Sequence, residues 1–136
     1  MATFNKFESF VGELGTGAHD LNGGAIKIYL SNAAPSASAD SVKADLAEIT
    51  NEHGYTAPED ATGVYSESGG TGTLSGTDVT ITASGGTVGP FQYVVLYDDD
   101  HASDGLIGWW DYGSAVTLQD GESFTTDFGA SILTIT

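Results

Sequence analysis

The sequence predicts a mainly β protein, an antiparallel β-sandwich or jelly-roll-like single domain spanning residues 1–136, with one short N-terminal helix. Three observations carry that expectation. From residue 73 onward, short runs of alternating apolar and polar residues recur between Gly-, Asn- and Asp-containing turns. Hydrophobic residues make up 40% of the chain and charged ones only 16%, so Gly, Ser, Thr and Asn carry the polar remainder. That balance suits strands and turns better than helices. The length, with no internal repeat and no linker, fits one domain.

The elements follow in chain order. Asn5 and Glu8 have capping-box spacing, and Phe4, Phe7, Val11 and Leu14 recur at helical period, with Phe10 widening the face. A short amphipathic helix is therefore expected over residues 5–14, stopped by Gly15 and Gly17. After Asn22-Gly23-Gly24, residues 25–31 alternate as a strand, with Ile26, Ile28 and Leu30 on one face and Lys27 and Tyr29 on the other. Val42, Leu46 and Ile49 allow one or two helical turns within residues 41–49, and residues 63–66 a short strand in a loop-like stretch. Residues 77–83 alternate again. Residues 91–97 are apolar on both faces, which predicts a central strand covered from both sides. An acidic turn, residues 98–105, leads to a strand over 106–112. Residues 115–119 and 122–128 flank Asp120-Gly121, a strong hairpin dipeptide, and residues 131–136 close the chain as a strand.

Charge narrows the function classes. Nineteen acidic residues face three basic ones, Lys6, Lys27 and Lys43, with no arginine, giving a net charge of −16. Nucleic-acid binding is not expected, because neutralising phosphates needs Lys and Arg. Nor is membrane association expected, since an anionic surface repels this chain and no apolar run approaches the ~20 residues of a span. Residues 1–6 lack the basic and apolar regions of a leader peptide. The absence of cysteine excludes disulfides and thiolate metal sites. Self-repulsion on this scale is best tolerated in a salty or cation-rich setting.

Candidate sites are few. Asp98, Asp100 and Asp104 lie on one loop and could supply calcium with carboxylate oxygens, although the spacing is not that of an EF-hand and a solvated acidic loop is the plainer reading. No other cofactor is expected. His101 has no spaced partner, because His19 and His53 are far away in sequence, and it reads as an exposed loop residue. Trp109 and Trp110 should point to opposite faces of a strand, so at most one is core. The outward one, with Tyr112, suggests a contact surface, a subunit interface before a glycan platform. Phe4, Phe7 and Phe10 are the other interface candidates. No nucleophile elbow, P-loop or zinc-protease motif is present, and the chain is not expected to be an enzyme.

Several segments carry a resemblance. Residues 1–11, residues 26–35 (Ile-Lys-Ile-Tyr-Leu-Ser-Asn-Ala-Ala-Pro), residues 44–49 and Gly54-Tyr-Thr56 contribute to it. The stretch 82–97 (Thr-Ala-Ser-Gly-Gly-Thr-Val-Gly-Pro-Phe-Gln-Tyr-Val-Val-Leu-Tyr) is the strongest, continuing through residues 106–113 and 120–124. Together they resemble a family of small structural proteins of tailed-bacteriophage virions, of the capsid decoration (cement) kind. The likeness covers most of the chain, least at residues 57–72. It implies a subunit on the outer surface of the capsid that bridges capsomers, with the major capsid protein as partner, and a homotrimer. It implies no catalytic or ligand residues. The alternative is a tail- or fibre-associated β-domain that binds host glycans through Trp109 or Trp110 and Tyr112. Three copies at −16 each would carry −48, so assembly of a trimer should weaken as ionic strength falls.

Overall fold

The run that is apolar on both faces lies at the centre of the molecule. In the computed structural model, which describes residues 2–22 and 25–136, it belongs to an 11-residue strand, Val88–Asp98. The Gly23-Gly24 part of the expected turn lies outside the described residues. In chain order the strands are β1 (Thr3–Lys6), β2 (Ile26–Ser31), β3 (Glu59–Asp60), β4 (Val64–Ser68), β5 (Thr71–Ser75), β6 (Val79–Thr82), β7 (Val88–Asp98), β8 (Leu106–Leu118), β9 (Ser123–Thr126) and β10 (Leu133–Ile135). Among the described residues one α-helix, α1, spans Glu8–Gly15. The protein is mainly β and a single small domain, as the alternation in the sequence predicts.

Three antiparallel sheets form: five strands in the order β1-β8-β7-β2-β3, three in the order β10-β5-β4, and the pair β6-β9. The small sheets face the large one across a common core. Ile26, Ile28, Leu30, Phe91, Val94, Leu96, Ile107 and Trp110 of the large sheet share it with Leu74, Val79 and Ile81. Phe91 meets Phe124 edge-on at 4.9 Å, and Trp110 meets Phe128 at 5.5 Å. On the opposite face of the large sheet, Tyr29, Val95, Tyr97 and Leu106 form a second cluster with Phe7 and Leu46. Cover on both faces leaves the middle of β7 no solvent-facing side, which is why Val94, Val95 and Leu96 are all apolar and buried.

Two expectations need correction. The helix starts at Glu8, not at residue 5, because residues 3–6 pair as β1 along β8, with Phe4 opposite Trp110 and Asn5 opposite Trp109. Asn5 donates its side-chain amide to the Thr3 carbonyl instead of capping a helix. Phenylalanines three apart share a helix face but point to opposite faces of an extended chain, as Phe4 and Phe7 do here, one against each apolar cluster. Pairing along the edge of β8 satisfies backbone groups of residues 3–6. Gly108 permits that pairing, since a Cβ there would collide with the Phe4 ring and the Asn5 carbonyl. The Asp120-Gly121 turn forms, with the Glu122 amide donating to the Gln119 carbonyl at 2.9 Å, but its flanks do not pair with each other. Val116 and Leu118 continue β8 opposite β7, whereas Ser123–Thr126 pair with β6. The turn is thus a corner between sheets, held by reciprocal backbone bonds between Ala83 and residues 121 and 122. The one or two helical turns expected within residues 41–49 form as a single turn of 3₁₀ helix, Lys43–Asp45.

Candidate functional site

The densest buried polar cluster gathers four segments at the tight end of the β7–β8 hairpin. Asp98, the last residue of β7, is fully buried. Its Oδ1 accepts the Asp100 amide at 3.0 Å, an Asx turn that bends the chain back toward Gly105, whose carbonyl accepts the Asp98 amide at 3.0 Å. Its Oδ2 lies 3.0 Å from His19 Nδ1. His19 reaches this point because the chain leaves α1 in a tight coil, with the Ala18 amide bonded to the Glu13 carbonyl at 2.9 Å. The imidazole side chain is fully buried, against Phe10 on one side and 4.8 Å from the His101 ring on the other. Glu13, from α1, places Oε2 3.2 Å from His19 Nε2 and 2.8 Å from His101 Nε2. The Ser103 amide donates to His101 Nδ1 at 3.1 Å. Gly105 closes the floor: a Cβ there would sit 2.9 Å from both imidazoles.

The surroundings are anionic. Lys27 bonds Asp99 at 2.9 Å, and this contact holds the ammonium above its ordinary pKa in spite of the cost of burial. Lys43 bonds Glu48 at 3.1 Å. Most of the nineteen carboxylates therefore have no cationic partner among the described residues.

The structure scatters the expected calcium ligands. Asp98 turns inward, with both oxygens taken by His19 and the Asp100 amide, while Asp100 is exposed on the turn. Asp98, Asp100 and Asp104 do not converge. The side chains that come together are instead Glu13, His19 and His101, the one such trio of potential metal ligands among the described residues. His101 is not a solitary loop histidine: the fold brings His19 against it. No local signal in the sequence announces this, because His19 and Asp98 are 79 residues apart.

The aromatic candidates divide as strand alternation requires. Trp110 is buried in the main core, and Trp109 is half-buried on the other face, 4.6 Å from the Phe7 ring. Phe7 is buried within the chain itself, and Phe10 is buried at the floor of a groove between α1, β1 and β10. Phe4 and Tyr112 keep partial exposure, Phe4 packing on Trp110 at 5.0 Å and Tyr112 on Phe124 at 5.0 Å. Burial pushes the Tyr112 phenol up from its ordinary pKa, helped by the Asp127 charge. Tyr112, Trp110 and Asp127 border one shallow recess. The groove between α1, β1 and β10, of about 340 Å³, is lined by the apolar Phe4, Phe10, Val11, Leu14, Leu133 and Ile135, with Lys6, Thr134 and Thr136 at its polar part. Val11 in that groove is 52% exposed. Comparison with protein-family models, with curated proteins and with solved structures finds no match for this chain.

Proposed function

We propose that the protein is a structural subunit of a bacteriophage virion, a decoration (cement) protein that binds the major capsid protein on the outer surface of the head, bridges capsomers and associates as a homotrimer. The observation that carries this reading is the combination of a cysteine-free β-sandwich with a surface of almost one sign, −16 and without arginine. Such a surface is suited to the outside of a particle, away from packaged nucleic acid, and to meeting basic residues on a partner. The segment resemblance described above supports the same placement.

Association of like-charged copies needs an apolar contact, and the groove beside Val11, Leu14, Leu133 and Ile135 is where this reading places it. Light scattering should then give three chains per particle at moderate salt, fewer at low salt, and a monomer for Val11→Glu. The deciding experiment is imaging of purified virions with the subunit located and counted. Hundreds of copies on the head support the reading. A protein found only in the lysate and never on particles would sink it, and a handful of copies on the tail would favour glycan recognition around Tyr112 instead.

A further inference from the structure

We propose that Glu13, His19 and His101 form a binding site for one divalent transition metal ion of the zinc class, with Asp98 as the positioning residue behind His19. This goes beyond the virion reading and stands independently of it.

The donor set is the first reason. Two imidazoles and one carboxylate suit zinc and its neighbours, whereas calcium and magnesium seek oxygen ligands alone. Spacing is the second. Ligand atoms about 2.0–2.1 Å from a tetrahedral zinc lie about 3.3 Å from one another. Here Glu13 Oε2 lies 3.2 Å from His19 Nε2 and 2.8 Å from His101 Nε2, and the three atoms fit within 4.8 Å. Small adjustments would seat an ion between them.

The third reason points to a ligand directly. His19 Nε2 and Glu13 Oε2 are buried polar atoms with no hydrogen-bond partner. They lie at hydrogen-bond distance, and Oε2 is closer still to His101 Nε2, yet none of these contacts has hydrogen-bond alignment. Orphaned polar atoms in a protein interior are costly and call for an explanation. When His19 Nδ1–H donates to Asp98, the lone pair of Nε2 is left facing the Glu13 carboxylate, two acceptors in opposition. A cation between them resolves that conflict. The carboxylate–histidine–metal relay is also the arrangement that fixes the tautomer and ring orientation of a metal-binding histidine.

His101 adjusts more. The Ser103 amide donates to its Nδ1, which leaves the proton on Nε2. Coordination through Nε2 moves that proton to Nδ1 and releases the Ser103 amide on the exposed turn. Gly105 is part of the site, because any side chain there would press on both rings. The bound ion would tie α1 to the β7–β8 turn, a cross-link in a chain with no cysteine to supply one.

Full-length protein stripped with a chelator and titrated calorimetrically with zinc tests this. The expected result is one zinc per chain, a melting temperature raised by zinc but not by calcium or magnesium, and a 1:1 visible absorption band when cobalt replaces zinc. Glu13→Gln and His101→Ala should each weaken zinc binding at least tenfold, and His53→Ala, altering an exposed histidine elsewhere, should leave it unchanged. His101 is largely peripheral to the core, so its variant keeps the test open should His19→Ala fail to fold. Absence of zinc binding by the wild-type chain overturns the proposal. So does binding that survives Glu13→Gln and His101→Ala, or that disappears with His53→Ala.

Discussion

The two faces of the five-stranded sheet are built on different physics. One face meets other sheets, and its contacts are between side chains: Ile28, Leu30, Phe91, Val94 and Leu96 against Leu74, Val79 and Ile81. The other is covered by irregular chain around residues 41–49, which presents backbone carbonyls to the sheet. Two tyrosines answer that need in part. Tyr29 donates its hydroxyl toward the Lys43 and Leu46 carbonyls at 3.3 and 3.2 Å, and its ring packs edge-on against Tyr97. Ser31 on the same strand donates to the Ala47 carbonyl. The Lys43 ammonium lies 4.8 Å from the centre of the Tyr29 ring, within cation–π range. A sheet face covered by another sheet can be purely apolar, whereas one covered by a loop must bring donors.

Substitutions can break this contrast, and the largest effect belongs to the sheet-on-sheet face. Leu96→Ala, at a fully buried position, should cost about 3 kcal/mol in a denaturant titration through lost burial and the cavity left behind.

Alkaline pH acts on the loop-covered face. Burial, then the nearby Glu48 charge, pushes the Tyr29 phenol well above its ordinary value of 10.0, and burial, then the Asp99 charge, does the same for Tyr97. A raised folded-state pKa means the folded chain keeps protons that the unfolded chain loses. Stability is therefore intact below about pH 10 and falls above it, by about 1.4 kcal/mol per pH unit for each such tyrosine. Tyrosinate absorbance for these two should rise together with loss of the circular-dichroism signal, not before it.

Tyr29→Phe isolates the hydrogen bonds. It keeps the ring and orphans two carbonyl contacts, an expected loss of about 1–2 kcal/mol. Were it neutral, the account of why tyrosines line this face would fail. At the small end, Val64→Thr, 55% exposed on β4, should change the unfolding free energy by less than about 0.5 kcal/mol in the same titration.

Much of this contrast is legible in the chain. The double-sided apolar run at residues 91–97 announces a covered central strand, and Ile26, Ile28 and Leu30 announce which face of β2 is buried. The extent of the N-terminal helix was not legible, because Phe4 continues the helical spacing of Phe7, Val11 and Leu14 and only the presence of β8 as a partner draws residues 3–6 into a strand. Nor was the pairing of Ser123–Thr126, since a turn dipeptide specifies a reversal but not which strand lies alongside. The histidine cluster was the least legible, as its members come from α1, the following loop and a hairpin turn in the second half of the chain.

The sequence by itself determined what is local or summed: a β domain without disulfides, a surface of almost one sign, strand faces set by period-two burial, and opposite faces for Trp109 and Trp110. Tertiary structure alone decided which of the nineteen carboxylates turn inward and which histidines meet. Alternation is enforced residue by residue by the pleat. The convergence of Glu13, His19, Asp98 and His101 depends instead on sheet order and loop path, which no short stretch of chain encodes.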